Sequence, residues 1–127
     1  MKTILLAEDD EYIRDMLSRW LTKWGYTVII ANDGARTILL ARNERPDLIL
    51  MDMGLPLLDG WQATRRLKAR ADTKHIPIIA ITAYAMSDDR LKCLSVGCNA
   101  FASKPLDLER LRETIQDLVE NDQHVVG

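Results

Sequence analysis

Leu48-Ile49-Leu50-Met51-Asp52 reads as four apolar residues closed by a single carboxylate. An apolar run without polar alternation suits a strand covered on both faces, as in a parallel sheet. Thr3-Ile4-Leu5-Leu6-Ala7, Thr27-Val28-Ile29-Ile30-Ala31 and Ile78-Ile79-Ala80-Ile81-Thr82 have the same character, and Ala100-Phe101-Ala102-Ser103 is a shorter fifth. Helical patterns alternate with them. Tyr12, Ile13, Met16, Leu17, Trp20, Leu21 and Trp24 recur at helical spacing, with Gly25 as a stop. Ala35, Ile38, Leu39 and Arg42 belong to a second helix that ends before Pro46. Asp59 caps a third, from Gly60 to Arg70, and Ser87 a fourth ending at Gly97. Asp107 caps a fifth, with Leu108, Leu111, Ile115, Leu118 and Val119 on its inner face. Five strand-helix units in a row predict a doubly wound α/β domain, a parallel sheet with helices on both faces and right-handed crossovers. The domain is expected over residues 1–121, with a frayed tail over 122–127.

Composition narrows the function classes. The 127 residues are 47% hydrophobic and 28% charged, the balance of one globular domain rather than a disordered chain. Lys and Arg total 17 against 19 Asp and Glu, giving a net charge of −2. That supplies no basic footprint for direct nucleic-acid binding. No apolar stretch reaches the length of a bilayer span, and Met1-Lys2 leads straight into the first strand without a signal sequence. A cytoplasmic location with no membrane partner is expected. Cys93 and Cys98 are too few for a disulfide framework and are expected to be reduced thiols.

In open parallel sheets, ligands bind beyond the carboxyl ends of the strands, where strand order reverses. Four strands deliver polar groups there: Glu8-Asp9-Asp10 after the first, Asp52 after the third, Thr82 at the end of the fourth, and Lys104-Pro105 after the fifth. Asp33, after the second, is better placed as a helix cap. Asp10 is placed to cap the first helix, which leaves Glu8 and Asp9 facing the strand ends. Two carboxylates ~4 Å apart repel by about 4 kcal/mol at an effective dielectric near 20, so a cation must compensate. Lys104 is one such cation; a divalent metal is another. Oxygen ligands favour Mg²⁺ over zinc, with Mn²⁺ as a substitute. A carboxylate, a magnesium ion, a hydroxyl and a lysine together suit phosphoryl transfer to the carboxylate.

The set Glu8-Asp9, Asp52-Met53-Gly54-Leu55-Pro56 with Asp59-Gly60, Thr82-Ala83 and Lys104-Pro105 resembles the receiver domain of two-component response regulators, in order and in spacing. The resemblance covers roughly residues 2 to 120 and implies a flavodoxin-like, chemotaxis-regulator-like sheet in the order 2-1-3-4-5 with five helices. By that resemblance Asp52 is the phosphoacceptor, Asp9 a direct magnesium ligand, Glu8 a second acid acting through water, and Gly54 the source of a metal-binding backbone carbonyl. Thr82 is the hydroxyl that moves to the phosphoryl group, and Lys104 the phosphate-binding cation, joined to Pro105 by a cis peptide bond. Phe101 sits at the position of the switch aromatic; many members have Tyr there, and Phe lacks the hydroxyl. Gly54 and Tyr84 flank the path of an attacking water: Gly54 offers no group to orient it and the Tyr84 ring can cover the site, so self-dephosphorylation is expected to be slow.

The resemblance implies a sensor histidine kinase or histidine phosphotransfer protein as phosphodonor, and no enzymatic activity beyond the domain's own phosphorylation and dephosphorylation. It implies output through helix four, strand five and helix five, and Leu91, Cys93, Leu94 and Val96 give helix four more apolar surface than one buried stripe requires. The residues after Lys104 suffice for helix five and no output domain, so the 127 residues are expected to be a single-domain regulator or one excised from a longer protein. Two other classes fit poorly. A flavodoxin-like electron carrier needs a Ser/Thr/Gly phosphate loop where Glu8-Asp9-Asp10 stands. An aspartate-based phosphatase needs an acid two residues beyond its nucleophile, where this chain has Gly54. An interaction module with a dead site would not keep every site position filled.

Overall fold

A computed structural model describes residues 1–83 and 87–120. The strands are β1 (Thr3–Ala7), β2 (Thr27–Ala31), β3 (Leu48–Asp52), β4 (Ile78–Thr82) and β5 (Ala100–Ser103). They alternate with α1 (Glu11–Lys23), α2 (Gly34–Glu44), α3 (Gly60–Ala69), α4 (Ser87–Val96) and α5 (Leu108–Glu120). The strands form one parallel sheet in the order β2-β1-β3-β4-β5. The Ser87 side chain, expected to cap α4, lies outside the described residues, as do Tyr84 and the tail from Asn121.

Alternation along each strand sends side chains to two separate cores. Leu5, Ala7, Ile49, Met51, Ile78 and Ala80 pack with Ala41 of α2, Ala63 and Leu67 of α3, and Cys93 and Val96 of α4. Ile4, Leu6, Leu48, Leu50, Ile79 and Ile81 pack with Leu17 and Leu21 of α1 and with Leu111, Ile115 and Val119 of α5. Every residue of β3 and β4 is buried. Each such Leu or Ile side chain contributes roughly 1.5–3 kcal/mol relative to exposure.

Local chemistry sets the helix ends. Asp10, Asp33, Asp59 and Asp107 each accept a backbone N–H three residues on, and Gln62 completes a capping box with Asp59. Gly97, at φ +99°, closes α4: its N–H bonds the Leu94 carbonyl, and the Cys98 N–H bonds that of Cys93. That closure places both cysteines in the core as free thiols. At the amino edge of the sheet Lys68 donates to the carbonyls of Lys74 and Ile76 and to Asn99 Oδ1, tying α3 to the segment before β5.

Three details depart from the periodicity. Tyr12 is 79% exposed and Trp20 half-exposed, because the face of α1 turned to the sheet carries Leu17 and Leu21, flanked by the partly buried Ile13, Met16 and Trp24. Trp20 instead leans on Trp24 at 6.0 Å, and Trp24 carries Arg112 of α5 over its ring. In α2 the buried line is Gly34, Thr37 and Ala41, with Ala35, Leu39 and Arg42 outward. β2 is not covered on both faces: as an edge strand it leaves Ile30 exposed.

Gly60 stands where α3 begins against the end of β3. A Cβ there would lie 2.5 Å from the Asp52 carbonyl oxygen and 2.6 Å from Met53 Cα. Backbone cannot yield as a flexible side chain can, so Gly60→Ala should cost about 1–3 kcal/mol in urea unfolding. Gly54→Ala, whose Cβ would meet only Asp52 Oδ1 at 3.6 Å, should unfold within about 1 kcal/mol of the wild type. Equal losses in the two variants would contradict this packing.

Candidate functional site

The strand order gathers the sequence-expected residues. β1, β3, β4 and β5 are consecutive in the sheet, and the chain's path reverses between β1 and β3. The register pairs Ala7 with Met51, so Glu8 and Asp52 follow side by side at the carboxyl edge. Thr82 pairs with Ser103, and the Lys104 N–H bonds the Thr82 carbonyl at 2.8 Å, which brings the lysine to the same edge.

Glu8, Asp9 and Asp52 each present a carboxylate oxygen within 4.8 Å of the others'. Glu8 and Asp52 are buried, whereas Asp9 is exposed at the mouth. Lys104 Nζ stands 3.5 Å from Glu8 Oε1 and 3.7 Å from Asp52 Oδ1. The Gly54 N–H donates to Asp52 Oδ1 at 3.0 Å, and the Asp10 N–H to Glu8 Oε2 at 3.1 Å. Asp10 itself points away as the cap of α1, as expected. The Lys104–Pro105 bond is cis. Phe101, partly buried opposite Ala80, lies two residues short of the Thr82 register. Tyr84, expected to cover the site, lies outside the described residues.

Three residues were not singled out by sequence. Asp89 of α4 accepts from Thr82 Oγ1 at 3.3 Å, and Trp61 of α3 lines the same cleft of about 310 Å³ as Asp52, Thr82 and Lys104. Arg14 holds the Glu8 and Asp9 carbonyls at 3.3 Å each, fixing the acidic loop from α1. The available signal was position: all three lie in the opening turn of a helix whose amino end meets the carboxyl edge of the sheet.

Residues 4–116 match the response regulator receiver domain family. The chain belongs to that family. Among its relatives, the polar-differentiation response regulator DivK of Brucella anthropi is 39% identical over 115 residues, 91% of this chain and 94% of DivK. The receiver domain of sensor histidine kinase PA1611 from Pseudomonas aeruginosa PAO1 superposes with a TM-score of 0.87 at 37% identity, covering 94% of this chain and 98% of that one. That structure holds a magnesium ion coordinated in its active-site cleft. Chemotaxis protein CheY4 of Vibrio cholerae has a TM-score of 0.87 at 28% identity, over 93% of this chain and 98% of CheY4. Among the described residues no helix is long and apolar enough to cross a membrane.

The donor set of this receiver domain fits a hard divalent cation. It is all oxygen, and the buried Glu8 Oε1 accepts no hydrogen bond from the described residues. Burial raises the Glu8 pKa, and the adjoining Asp52 carboxyl raises it further. The Asp10 N–H and Lys104 pull it down by less, and the outcome is about 7. In metal-free protein the folded state therefore holds a proton that the unfolded chain gives up near pH 4.5. Stability from this group is fully present below pH 4.5 and is lost as pH rises to about 7. Urea unfolding in chelator should show wild-type stability falling across that window relative to Glu8→Gln, which has no carboxyl to ionise. Parallel profiles for the two proteins would contradict the Glu8 environment.

Proposed function

We propose that Asp52 accepts a phosphoryl group from a histidine kinase or a histidine phosphotransfer protein, in a reaction that requires Mg²⁺. The observation that carries this reading is the Asp52 carboxylate at the chain reversal, 3.7 Å from Lys104 Nζ and beside Glu8 and Asp9. An Asp52 oxygen attacks phosphorus, the P–N bond of the phosphohistidine breaks, and its electron pair leaves with the imidazole nitrogen, which then takes up a proton from solvent. Lys104 supplies a cation for the phosphoryl oxygens, and the Gly54 N–H holds Asp52 Oδ1, orienting the nucleophile. Glu8, Asp9, Asp52 and the Gly54 carbonyl would hold the metal, which when bound offsets the charge of the phosphoryl oxygens.

Thr82 then bonds the phosphoryl group, and Phe101 turns toward the space it leaves. The change is a two-state equilibrium biased by what the phosphoryl group gains in one state. It is read on α4, β5 and α5, where Leu91 and Leu94 are about two-thirds exposed and Arg90 and Arg110 flank a groove beside Phe101. The domain is a regulator: it catalyses its own phosphorylation and slow dephosphorylation, acts in the cytoplasm, and requires neither nucleic acid nor membrane as a direct partner.

Acetyl phosphate with Mg²⁺ should add one phosphoryl mass to the wild type and none to Asp52→Asn. Full labelling of that variant would refute the assignment. Asp9→Asn should weaken Mg²⁺ binding at least about tenfold by removing a charged ligand, whereas Asp10→Asn, still able to cap α1, should bind within about twofold of the wild type. The reverse ranking in a magnesium titration would mean the acidic triplet is wrongly divided.

A further inference from the structure

The Thr82 hydroxyl reaches across seven positions in sequence to donate to Asp89 Oδ2 at 3.3 Å. Asp89 is half-buried in the opening turns of α4 and faces the same cleft as Asp52 and Lys104. Three residues further on, and so on the same side of the helix, Lys92 Nζ sits 4.5 Å above the ring of Trp61, which also lines the cleft. The start of α4 is thus held at two points on one face, one to β4 and one to α3. We infer that Asp89 is a positioning residue, a latch that holds the Thr82 hydroxyl in the resting state and is released when that hydroxyl moves to a phosphoryl group. This inference rests on the proposed roles of Asp52 and Thr82.

The chemistry is competitive. A threonine hydroxyl carries one proton and donates to one acceptor at a time, and an ionised Asp89 can only accept. A bond from Thr82 to a group on Asp52 is therefore made at the expense of the bond to Asp89. Phosphorylation also replaces the single charge of the Asp52 carboxylate by about −1.5 to −2 on the phosphoryl oxygens, adding up to about one negative charge to the cleft that Asp89 lines. Loss of its donor and repulsion both drive the Asp89 carboxylate outward. Asp89 is rooted in α4, so its departure moves the helix that bears Leu91 and Leu94 and draws Lys92 from Trp61. The latch opposes the active state at rest and transmits it once the hydroxyl has moved.

Beryllofluoride, a tetrahedral stand-in for a phosphoryl group on a carboxylate, tests the competition in Mg²⁺ buffer. Asp89→Ala should bind it about threefold to tenfold more tightly than the wild type, the range for one net hydrogen bond. Asp89→Asn, whose amide oxygen still accepts, should fall between. In a Thr82→Ala background Asp89→Ala should give a clearly smaller gain, the relief of charge repulsion alone, since no hydroxyl remains to release. An equal gain in both backgrounds would make Asp89 a mere charge and overturn the latch, as would no gain in either. A second arm needs no phosphoryl analogue. In the unmodified protein, the NMR signals of Thr82 should shift in Asp89→Ala and lie nearer the wild type in Asp89→Asn, whose amide oxygen still accepts; no shift at Thr82 in Asp89→Ala would overturn the latch. Failure of every variant to bind beryllofluoride, with that shift intact, would overturn the Asp52 reading and support the resting hydrogen bond.

Discussion

Three carboxylates and one ammonium share the carboxyl edge of the sheet, and that imbalance governs the site. Glu8, Asp9 and Asp52, if all ionised, bring three negative charges against the single positive charge of Lys104. Folding forces them together, because β1 and β3 are neighbours in register and the acids begin where the strands end. Water cannot screen the two buried members, so the protein has two ways out. It can hold a proton on Glu8, as the upward shift of that carboxyl shows, or it can take a divalent cation. Crowding like charges in this way favours a cation, and the all-oxygen donor set suits a hard one.

The apolar sheet and the helix ends serve this arrangement. Fully buried β3 and β4 set Asp52 and Thr82 at fixed heights, and the closeness of Gly60 to the Asp52 carbonyl seats α3 against the same strand end. Arg14 fixes the acidic loop through its carbonyls, leaving the Glu8 and Asp9 carboxylates for the cleft. Among the described residues α4 meets the cleft through the hydrogen bond from Thr82 to Asp89 and the Lys92 ammonium over Trp61. Its outer face carries exposed leucines.

Much of this was legible in the sequence because it is written locally. Apolar runs without alternation marked β1, β3 and β4, and the aspartates before α1, α2, α3 and α5 marked the caps that the structure forms. Polar residues at strand ends marked the site, since a parallel sheet turns its carboxyl edge toward its ligand. Periodicity says which residues share a helix face but not how wide a stripe the sheet covers, so Tyr12 and Trp20 counted as core candidates and lie outside it. The edge position of β2 depends on strand order, which the runs alone do not contain. Asp89 and Trp61 were invisible for a related reason. An aspartate and a tryptophan in the opening turns of helices have ordinary explanations, and only the packing of α3 and α4 over the strand ends brings them to Thr82 and Asp52.

The charge imbalance is tested most directly by calorimetric titration of the wild type with Mg²⁺ in buffers of different ionisation enthalpy, at pH values on either side of about 7. Saturable binding at one site is expected, with proton release rising toward one per ion as pH falls below 7 and vanishing well above it. Binding with no proton release at any pH, or no saturable binding at all, would contradict the account.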